Sequence, residues 1–183
     1  MTEAEFVMDV TPVNDAPVIT STAPVSAIEE IQYAYNPAAD DAEDDTLTWS
    51  LTNAPTGMSI VSGTGAITWT PAEGVTTSGE VTLTVIDGNG GSDTELFTVS
   101  VTASNDPPTI TSTAGTSATE DVEYTYNPTV TDPDSSVFTW TLSGEPAGMT
   151  INSSTGAISW IPTEGVTTSG TVTLTVDDGS GGS

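Results

Sequence analysis

The chain has 183 residues and a composition that excludes most catalytic chemistry. It contains 26 Asp and Glu residues and no Lys, Arg, His or Cys, so its formal net charge is −26. Nucleophile triads, zinc sites, disulfides and cationic phosphate clamps therefore lack their reactive groups. Such a charge repels nucleic acid and anionic membranes and favours metal cations. The apolar runs are only a few residues long, so we also expect no membrane insertion.

Two copies of a 91-residue period make up almost the whole chain. Residues 2–92 align with residues 93–183 without a gap, and 50 of the 91 aligned pairs are identical. Each period has two tryptophans in the same register, Trp49 and Trp69 in the first copy and Trp140 and Trp160 in the second. A period of this length is too long for a solenoid unit and indicates a self-contained domain in a tandem array.

The domain boundaries are offset from the ends of the chain. Residues 5–11 align with residues 96–102, so we interpret residues 1–13 as the orphan final strand of an upstream repeat. Residues 14–104 then form repeat 1. Residues 105–183 form repeat 2, which stops after its penultimate strand and lacks the final one.

Strands are predicted throughout each period. In repeat 1, apolar and polar residues alternate along residues 47–51, 67–70 and 81–85, which is the pattern of half-buried strands. Clusters of Gly, Pro, Asn and Asp separate these runs, and no helical period is sustained. About seven short strands per period predict an all-β fold of two tandem seven-stranded Greek-key β-sandwiches, cadherin-like or immunoglobulin-like.

The aromatic residues follow the same alternation as their aliphatic neighbours. We therefore expect the four tryptophans to lie in the core, together with Tyr33 and Tyr35, which are in phase with Ile31. The alternative is that the tryptophans form an exposed platform for stacking sugars. Their exposure distinguishes the two interpretations.

A longer pattern carries a resemblance to a known family. Its strings are P-x-G-M at residues 55–58, T-G-A-I at 64–67, W-T-P at 69–71, D-G-x-G-G at 87–91, and N-D-x-P at 14–17 and 105–108. With these strings the chain resembles the tandem cadherin-like (dystroglycan-type) and putative immunoglobulin-like repeats of large bacterial surface adhesins. The resemblance covers almost all of both periods and implies calcium bound between successive domains.

The calcium ligands that the resemblance implies can be transferred one residue at a time. Calcium takes about six to eight oxygen ligands, which carboxylates on two rigid domains can supply together. At the junction between the repeats they are Asn105 and Asp106 of the linker, Asp132 and Asp134 of the D-x-D/E element, Asp178 of the late D-x-G element, and Glu29 and Glu73 of the preceding repeat. The equivalent set at the N-terminal end is Asn14, Asp15, Asp41, Glu43 and Asp87.

Two departures from the family pattern reduce the expected number of ions. Ala103 stands where the linker pattern D-x-N-D-N has its first Asp, and Ser135 and Ser136 replace the further candidates Asp44 and Asp45. We therefore expect about one or two calcium ions per junction. The alternative is that these acids are turn residues and solvated surface.

Two other motifs receive simpler interpretations. The glycine-rich string at residues 87–93 occurs once between two strands, which predicts a hairpin loop rather than a glycine-rich calcium repeat. Paired carboxylates can act as acid and base on a glycoside. Here the acids recur one period away and have no pocket motif beside them, so we expect no enzymatic activity.

These observations predict a structural repeat unit of an extracellular or cell-surface bacterial protein, an adhesin or a surface fibre, in which calcium stiffens a tandem rod. A chain without Lys or Arg has no cleavage site for trypsin-like proteases, which is consistent with an exported protein. Other cell-surface molecules are expected partners. The competing interpretation is a carbohydrate- or protein-binding β-sandwich module of a secreted protein.

The orphan strand and the missing strand together predict self-assembly. Residues 14–17 reach only about 14 Å, whereas repeat 1 is roughly 30 Å or more long, so residues 2–12 cannot return to repeat 2 of their own chain. We expect them to enter repeat 2 of another copy and to bury Phe6, Met8 and Val10 there. Head-to-tail filaments would follow. The alternative is a fragment cut from a longer covalent array.

Overall fold

The computed structural model is built from β-strands and turns, and it describes residue 1, residues 3–11 and residues 13–181. The chain divides into residues 1–104, called unit 1, and residues 105–183, called unit 2. The described residues form no helix. The predicted all-β fold class, with two β-sandwiches in tandem, is confirmed.

Unit 1 contains two main sheets and a short strand pair. The larger sheet has the order β2-β9-β8-β5, the second has the order β3-β7-β6, and β1 pairs with β4. The pairing of β2 with β9 is parallel, and the other pairs are antiparallel. The strands are β1 (Val18–Ile19), β2 (Ser26–Ile28), β3 (Tyr33–Tyr35), β4 (Ala39–Asp40), β5 (Thr48–Thr52), β6 (Ser59–Ile60), β7 (Ile67–Trp69), β8 (Thr77–Ile86) and β9 (Ser92–Thr102).

The core of unit 1 lies between the two main sheets. Alternation along β8 places Val81, Leu83 and Val85 inside, where each is 0% exposed. From β9, Phe97 packs edge-to-face on Tyr35 of the opposite sheet, with 6.2 Å between ring centroids. The two sheets are therefore joined by side chains of the final strand as well as by those of the penultimate one.

The four tryptophans occupy the same core positions in both units. Trp49, Trp69, Trp140 and Trp160 are only 2–6% exposed, which confirms the core interpretation. The Trp49 ring lies over a glycine, Gly65, at a φ of +73°, where a Cβ would come within 2.9 Å of the ring. The same packing recurs one period later, so this part of the core is independent of the final strand.

Tyr33 and Tyr35 are also buried, as predicted, but Ile31 is not in phase with them. Burial raises the pKa of both hydroxyls to about 12. Ile31 is 56% exposed, because a turn that brings its N–H to the Ile28 carbonyl precedes β3. Glu30 in this turn has a φ of +58°. The turn interrupts the alternation that the sequence pattern extended through Ile31.

Unit 2 repeats this fold with fewer and shorter strands. It has the sheets β11-β15-β14, β13-β16 and β10-β12, all antiparallel. Among the described residues, β2 and β9 of unit 1 have no counterpart in unit 2. The strands are β10 (Thr109–Ile110), β11 (Tyr124–Tyr126), β12 (Val130–Thr131), β13 (Thr139–Ser143), β14 (Thr150–Ile151), β15 (Ile158–Trp160) and β16 (Thr173–Asp177).

The N-terminal segment and the glycine-rich loop complete the fold. Residues 3–11 are not in a strand, and their apolar side chains Phe6, Met8 and Val10 are 81%, 76% and 85% exposed. Residues 2 and 12 of the predicted donor segment lie outside the described residues. Residues 87–91 connect β8 to β9, so the hairpin predicted for residues 87–93 is confirmed, with residues 92 and 93 already in β9.

Candidate functional site

Acidic and amide side chains gather at the N-terminal end of unit 1. The Asn14 side-chain amide donates to Asp87 Oδ2 at 2.8 Å, and the Asp15 backbone N–H donates to Glu43 Oε2 at 3.0 Å. Two predicted linker residues are thereby joined to two predicted loop residues. The structure therefore brings these four predicted residues together.

Asp41 organises the acidic loop at this end. Its Oδ1 accepts hydrogen bonds from the backbone N–H groups of Glu43 at 3.2 Å and Asp45 at 3.0 Å. Oxygens of these three carboxylates lie within 4.8 Å of one another. Negative charges at this distance repel unless a cation or water separates them. We call Asp41, Glu43 and Asp45 the acidic loop cluster, in which Asp45 was only a further candidate from sequence.

Asp87 has a different role from that cluster. Its Oδ1 accepts from the backbone N–H groups of Asn89, Gly90 and Gly91 at 2.7–3.0 Å, and its Oδ2 accepts from Gly91 and from Asn14. The Asn14 amide, with these N–H groups, lowers the pKa of Asp87 below its ordinary value of 3.8, although burial opposes the shift. Since both oxygens already have partners, Asp87 anchors the hairpin loop and orients Asn14.

The hairpin loop is also tied to the acidic loop cluster. The Asn89 side-chain amide donates to Asp45 Oδ2 at 2.7 Å. Sequence reasoning did not single out Asn89. Its position two residues after Asp87 in D-G-N-G-G is the available signal, because an Asp side chain often accepts a hydrogen bond from the backbone N–H two residues on, as Asp87 does from Asn89 at 2.7 Å.

Unit 2 repeats these contacts at its own N-terminal end. The Asn105 side-chain amide donates to Asp178 Oδ2 at 2.8 Å, and the Asp106 backbone N–H donates to Asp134 Oδ2 at 2.7 Å. These pairs are the 91-residue counterparts of the two pairs in unit 1. The sequence repeat therefore preserves the hydrogen-bonding pattern of the predicted ligands.

Asp132 matches Asp41 in its environment. Its Oδ1 accepts from the backbone N–H groups of Asp134 at 2.8 Å and Ser135 at 2.7 Å. In both units, one carboxylate oxygen therefore holds the loop. The other oxygen, Oδ2 of Asp41 or of Asp132, is buried without a hydrogen-bond partner.

Glu29 and Glu73 belong to unit 1 and were predicted as ligands at the junction. Glu29 is 2% exposed, and its Oε2 accepts from the Ser104 backbone N–H at 3.4 Å. Its Oε1 is buried without a hydrogen-bond partner, and the two Glu carboxylates come within 4.8 Å of each other. In unit 2 the counterpart Glu120 is exposed and accepts from the Gly165 N–H.

The unpartnered oxygens test whether these residues fit calcium. In the described part of the chain, three buried side-chain polar atoms have no hydrogen-bond partner: Glu29 Oε1, Asp41 Oδ2 and Asp132 Oδ2. All three belong to predicted calcium ligands. Buried polar atoms without a partner are rare, and this chain has no cationic side chain that could satisfy them. An all-oxygen, carboxylate-rich donor set fits a hard cation such as calcium.

The comparisons with known proteins agree with this architecture. The model of the putative Ig domain family matches residues 16–102 and 107–183. Human Protocadherin-24 EC1-2 is similar in structure, with a TM-score of 0.58, 17% identity and coverage of 90% of this chain and 88% of that chain. Human CDH23 EC21-23 has a TM-score of 0.52, 17% identity and coverage of 84% and 56%. At these identities the similarity shows the fold alone.

Some similar structures are much longer than this chain. A protein described as a putative alpha-galactosidase/melibiase from Bacteroides fragilis has a TM-score of 0.42 and 19% identity over 49% of this chain, which spans 18% of that protein's length.

Among curated proteins none matches the chain. The described residues contain no helix with the length and apolar character that a membrane crossing needs.

Proposed function

The chain belongs to the putative Ig domain family, and on that premise we propose that it is a non-enzymatic, calcium-stiffened repeat unit of an extracellular bacterial adhesin or surface fibre. One observation carries the calcium part of this proposal. The three buried, unpartnered oxygens of the described residues all lie on carboxylates that the family resemblance implies as calcium ligands.

Each group of acids would contribute its own share of the ligands. The acidic loop cluster would hold calcium at the N-terminal end of unit 1. In unit 2, Asp132 and Asp134 would take the corresponding role, and Glu29 and Glu73 would supply oxygens from unit 1. Asp87 and Asp178 would orient Asn14 and Asn105, whose carbonyl oxygens complete the set.

Calcium would act on both stability and stiffness. A cation that binds only the folded chain stabilises it by mass action and also relieves repulsion among carboxylates in a chain of charge −26. An ion bound to the linker residues Asn105 and Asp106 would restrict their backbone. The function would therefore be mechanical, with the repeat acting as a spacer of set length.

The buried tryptophans do not support the carbohydrate-binding alternative. A stacking platform needs aromatic faces in solvent, whereas Trp49, Trp69, Trp140 and Trp160 are at most 6% exposed. As partners we propose copies of the same chain, joined head to tail through residues 2–12 by strand donation, and other cell-surface molecules.

Calorimetric titration with calcium chloride tests the calcium proposal. Because Asn keeps the oxygen that holds the loop, Asp41→Asn and Asp132→Asn should each remove part of the bound calcium, with affinity at that site falling at least ~10-fold. Asp40→Asn and Glu145→Gln change the same charge at exposed positions outside the clusters and should leave the affinity within about 2-fold.

The same preparations test stiffening. We expect EDTA to lower the melting temperature and to broaden the distance distribution from small-angle X-ray scattering. Binding heats absent from the full chain, together with melting and scattering curves unchanged by EDTA, would remove calcium from the proposal. The acids would then be solvated turn residues.

A further inference from the structure

Unit 2 contains a groove at the position that β9 fills in unit 1. The groove has a volume of ≈ 550 Å³. Its lining includes Val172, Leu174, Tyr126, Trp160 and residues 114–118. Its lining combines these apolar side chains with backbone and hydroxyl groups, as expected for a site that binds a β-strand.

Counterpart residues show what the groove exposes. Val81 and Leu83 of β8 are 0% exposed in unit 1, whereas Val172 and Leu174 are only half-buried. Ala114 is exposed, although its counterpart Ala23 is 4% exposed. At these three positions the identical amino acids are therefore less buried in unit 2 than in unit 1.

The backbone groups on the rim of the groove have known partners in unit 1. There β8 lies between β9 and β5, whereas within the described part of the chain β16 pairs only with β13. The Val99 N–H donates to Ser78 Oγ at 2.8 Å and the Val101 N–H donates to the Thr76 carbonyl at 2.9 Å. The counterparts of these two acceptors, at residues 169 and 167, both line the groove of unit 2.

We propose that residues 3–11 of a second copy bind in this groove as an added antiparallel strand. The inference rests on the head-to-tail assembly proposed above and identifies its binding site. In the 91-residue alignment, Phe6 and Val10 are identical to Phe97 and Val101 of β9, and Met8 takes the place of Val99. Phe97 and Val99 are 6% and 0% exposed, so the donated strand presents large apolar side chains where the groove needs them.

The hairpin of unit 1 predicts the register of the complex. Val81 lies opposite Phe97 and Thr82 opposite Leu96. By the same alignment, Val172 should lie opposite Phe6 of the second copy, and Thr173 opposite Glu5. The Met8 N–H would then donate to Ser169 Oγ and the Val10 N–H to the Thr167 carbonyl.

A pair of cysteines tests this register directly. Because the chain has no cysteine, the double variant Glu5→Cys with Thr173→Cys contains only these two thiols, and a disulfide between copies must join position 5 of one copy to position 173 of the next if the register is right. Mild oxidation should give a ladder of covalent multimers on a non-reducing gel. In the matched control, Glu5→Cys with Thr175→Cys, the pair is two residues out of register and roughly 7–8 Å apart, so the multimer yield should fall at least ~10-fold.

Two substitutions on neighbouring residues separate strand insertion from non-specific association. Met8 and Val7 are both largely exposed, at 76% and 93%. On the donated strand Met8 would face the groove, whereas Val7, like the exposed Thr98 of β9, would face solvent. Met8→Asp should weaken self-association, measured by sedimentation velocity, at least ~100-fold. Val7→Asp should change it by less than about 3-fold.

The possible outcomes each decide the proposal. An in-register ladder and sensitivity only to Met8→Asp support it. A full-length chain that stays monomeric, equal ladders from both cysteine pairs, or equal effects of the two Asp substitutions would overturn it. These experiments are run in EDTA, and calcium affinity is measured on the Met8→Asp chain, so loss of assembly and loss of calcium binding are observed separately.

Discussion

Unit 1 and unit 2 share a 91-residue period, yet among the described residues only unit 1 has a final strand packed on its core. Around the tryptophans the two cores are alike, since Trp49 and Trp140 lie over equivalent glycines. On the side that β9 covers in unit 1, they differ in burial and in pairing. The comparison indicates that the packing around the tryptophans forms without the final strand. The burial of the residues that face β9 depends on that strand.

Identical segments adopt different structures because of that dependence. Ser26 and Ala27 lie in β2, which pairs in parallel with β9, whereas the identical pair Ser117 and Ala118 is not in a strand. Local sequence preference cannot explain a difference between identical residues. The available partner strand decides it, as expected for sheets, where pairing and burial outweigh intrinsic propensity.

The acidic ends do not share this dependence. Asp41 and Asp132 hold their loops through the same kind of backbone hydrogen bonds, and each keeps a buried oxygen without a partner. Neither arrangement uses β9. The ligands proposed around Asp41 and Asp132 are therefore separate from the proposed strand-binding groove, and experiments can remove one without the other. Glu29 differs from them, because its backbone N–H donates to the Thr102 carbonyl at the end of β9.

The largest expected effect comes from making unit 1 resemble unit 2. Phe97→Ala removes a side chain of β9 that packs on Tyr35 of the opposite sheet. We expect the free energy of unfolding of unit 1 to fall by about 3–5 kcal/mol, the usual cost of this truncation in a core. Calorimetric melting in the Met8→Asp background, which keeps unit 2 without a donated strand, should show one transition moving to lower temperature.

The neighbouring residue provides the control. Leu96 lies on the same strand but is 61% exposed, so Leu96→Ala should change stability by no more than about 0.5 kcal/mol. Equal shifts from the two substitutions would mean that β9 does not complete the core of unit 1. The comparison between the units would then lose its physical basis.

The sequence allowed most of the fold to be predicted and less of the site. Period-2 alternation and the 91-residue repeat identified β5, β7 and β8 with their counterparts in unit 2, the buried tryptophans and the hairpin, because these depend on local pattern. The shorter strands β1, β4 and β6 have too few residues to show the alternation. The exposure of Ile31 was not predictable, since it follows from a positive φ at Glu30. The hydrogen bonds that both oxygens of Asp87 accept from the loop N–H groups and from Asn14 were not predictable either, because they depend on the folded loop.

A smaller effect is expected at low pH, and it concerns the hairpin that connects β8 to β9 in unit 1. The pKa of Asp87 lies below 3.8 in the folded chain, so its ionised form stabilises the fold. That stabilisation is fully present above the unfolded pKa, which lies near 4, and is lost as the pH falls through the lower folded value. Asp87→Asn should therefore destabilise unit 1 at pH 7.

The size of this difference should depend on pH in one direction. The melting temperatures of unit 1 in the parent and in Asp87→Asn should converge as the pH is lowered from 5 to about 2, because the parent loses the charge that the variant lacks. Calorimetry at intermediate pH values measures the convergence. A difference that stays constant across this range would show that the Asp87 charge does not contribute to stability.

The smallest expected effect concerns the one inward position at which the donated strand differs in chemistry from β9. In unit 1 the Glu95 carboxylate accepts from the Ala23 N–H and from the Tyr35 hydroxyl, both at 2.8 Å. Its counterpart on the N-terminal segment is Ala4, and in unit 2 Tyr126 donates instead to the Ser112 carbonyl at 3.2 Å. A carboxylate at position 4 would restore the arrangement found in unit 1.

Ala4→Glu should therefore tighten self-association although it adds a negative charge to a chain of −26. Two hydrogen bonds to the new carboxylate stabilise the complex, and desolvation of the carboxylate and charge repulsion oppose them, so the net gain in binding free energy is about 1 kcal/mol. This gain corresponds to a roughly 5-fold lower dissociation constant, which sedimentation velocity measures. Val7→Glu adds the same charge on the solvent face and should weaken association slightly through repulsion. If Ala4→Glu weakens association as Val7→Glu does, the donated strand does not take the place of β9, because only that placement brings position 4 to the Ala114 N–H and the Tyr126 hydroxyl.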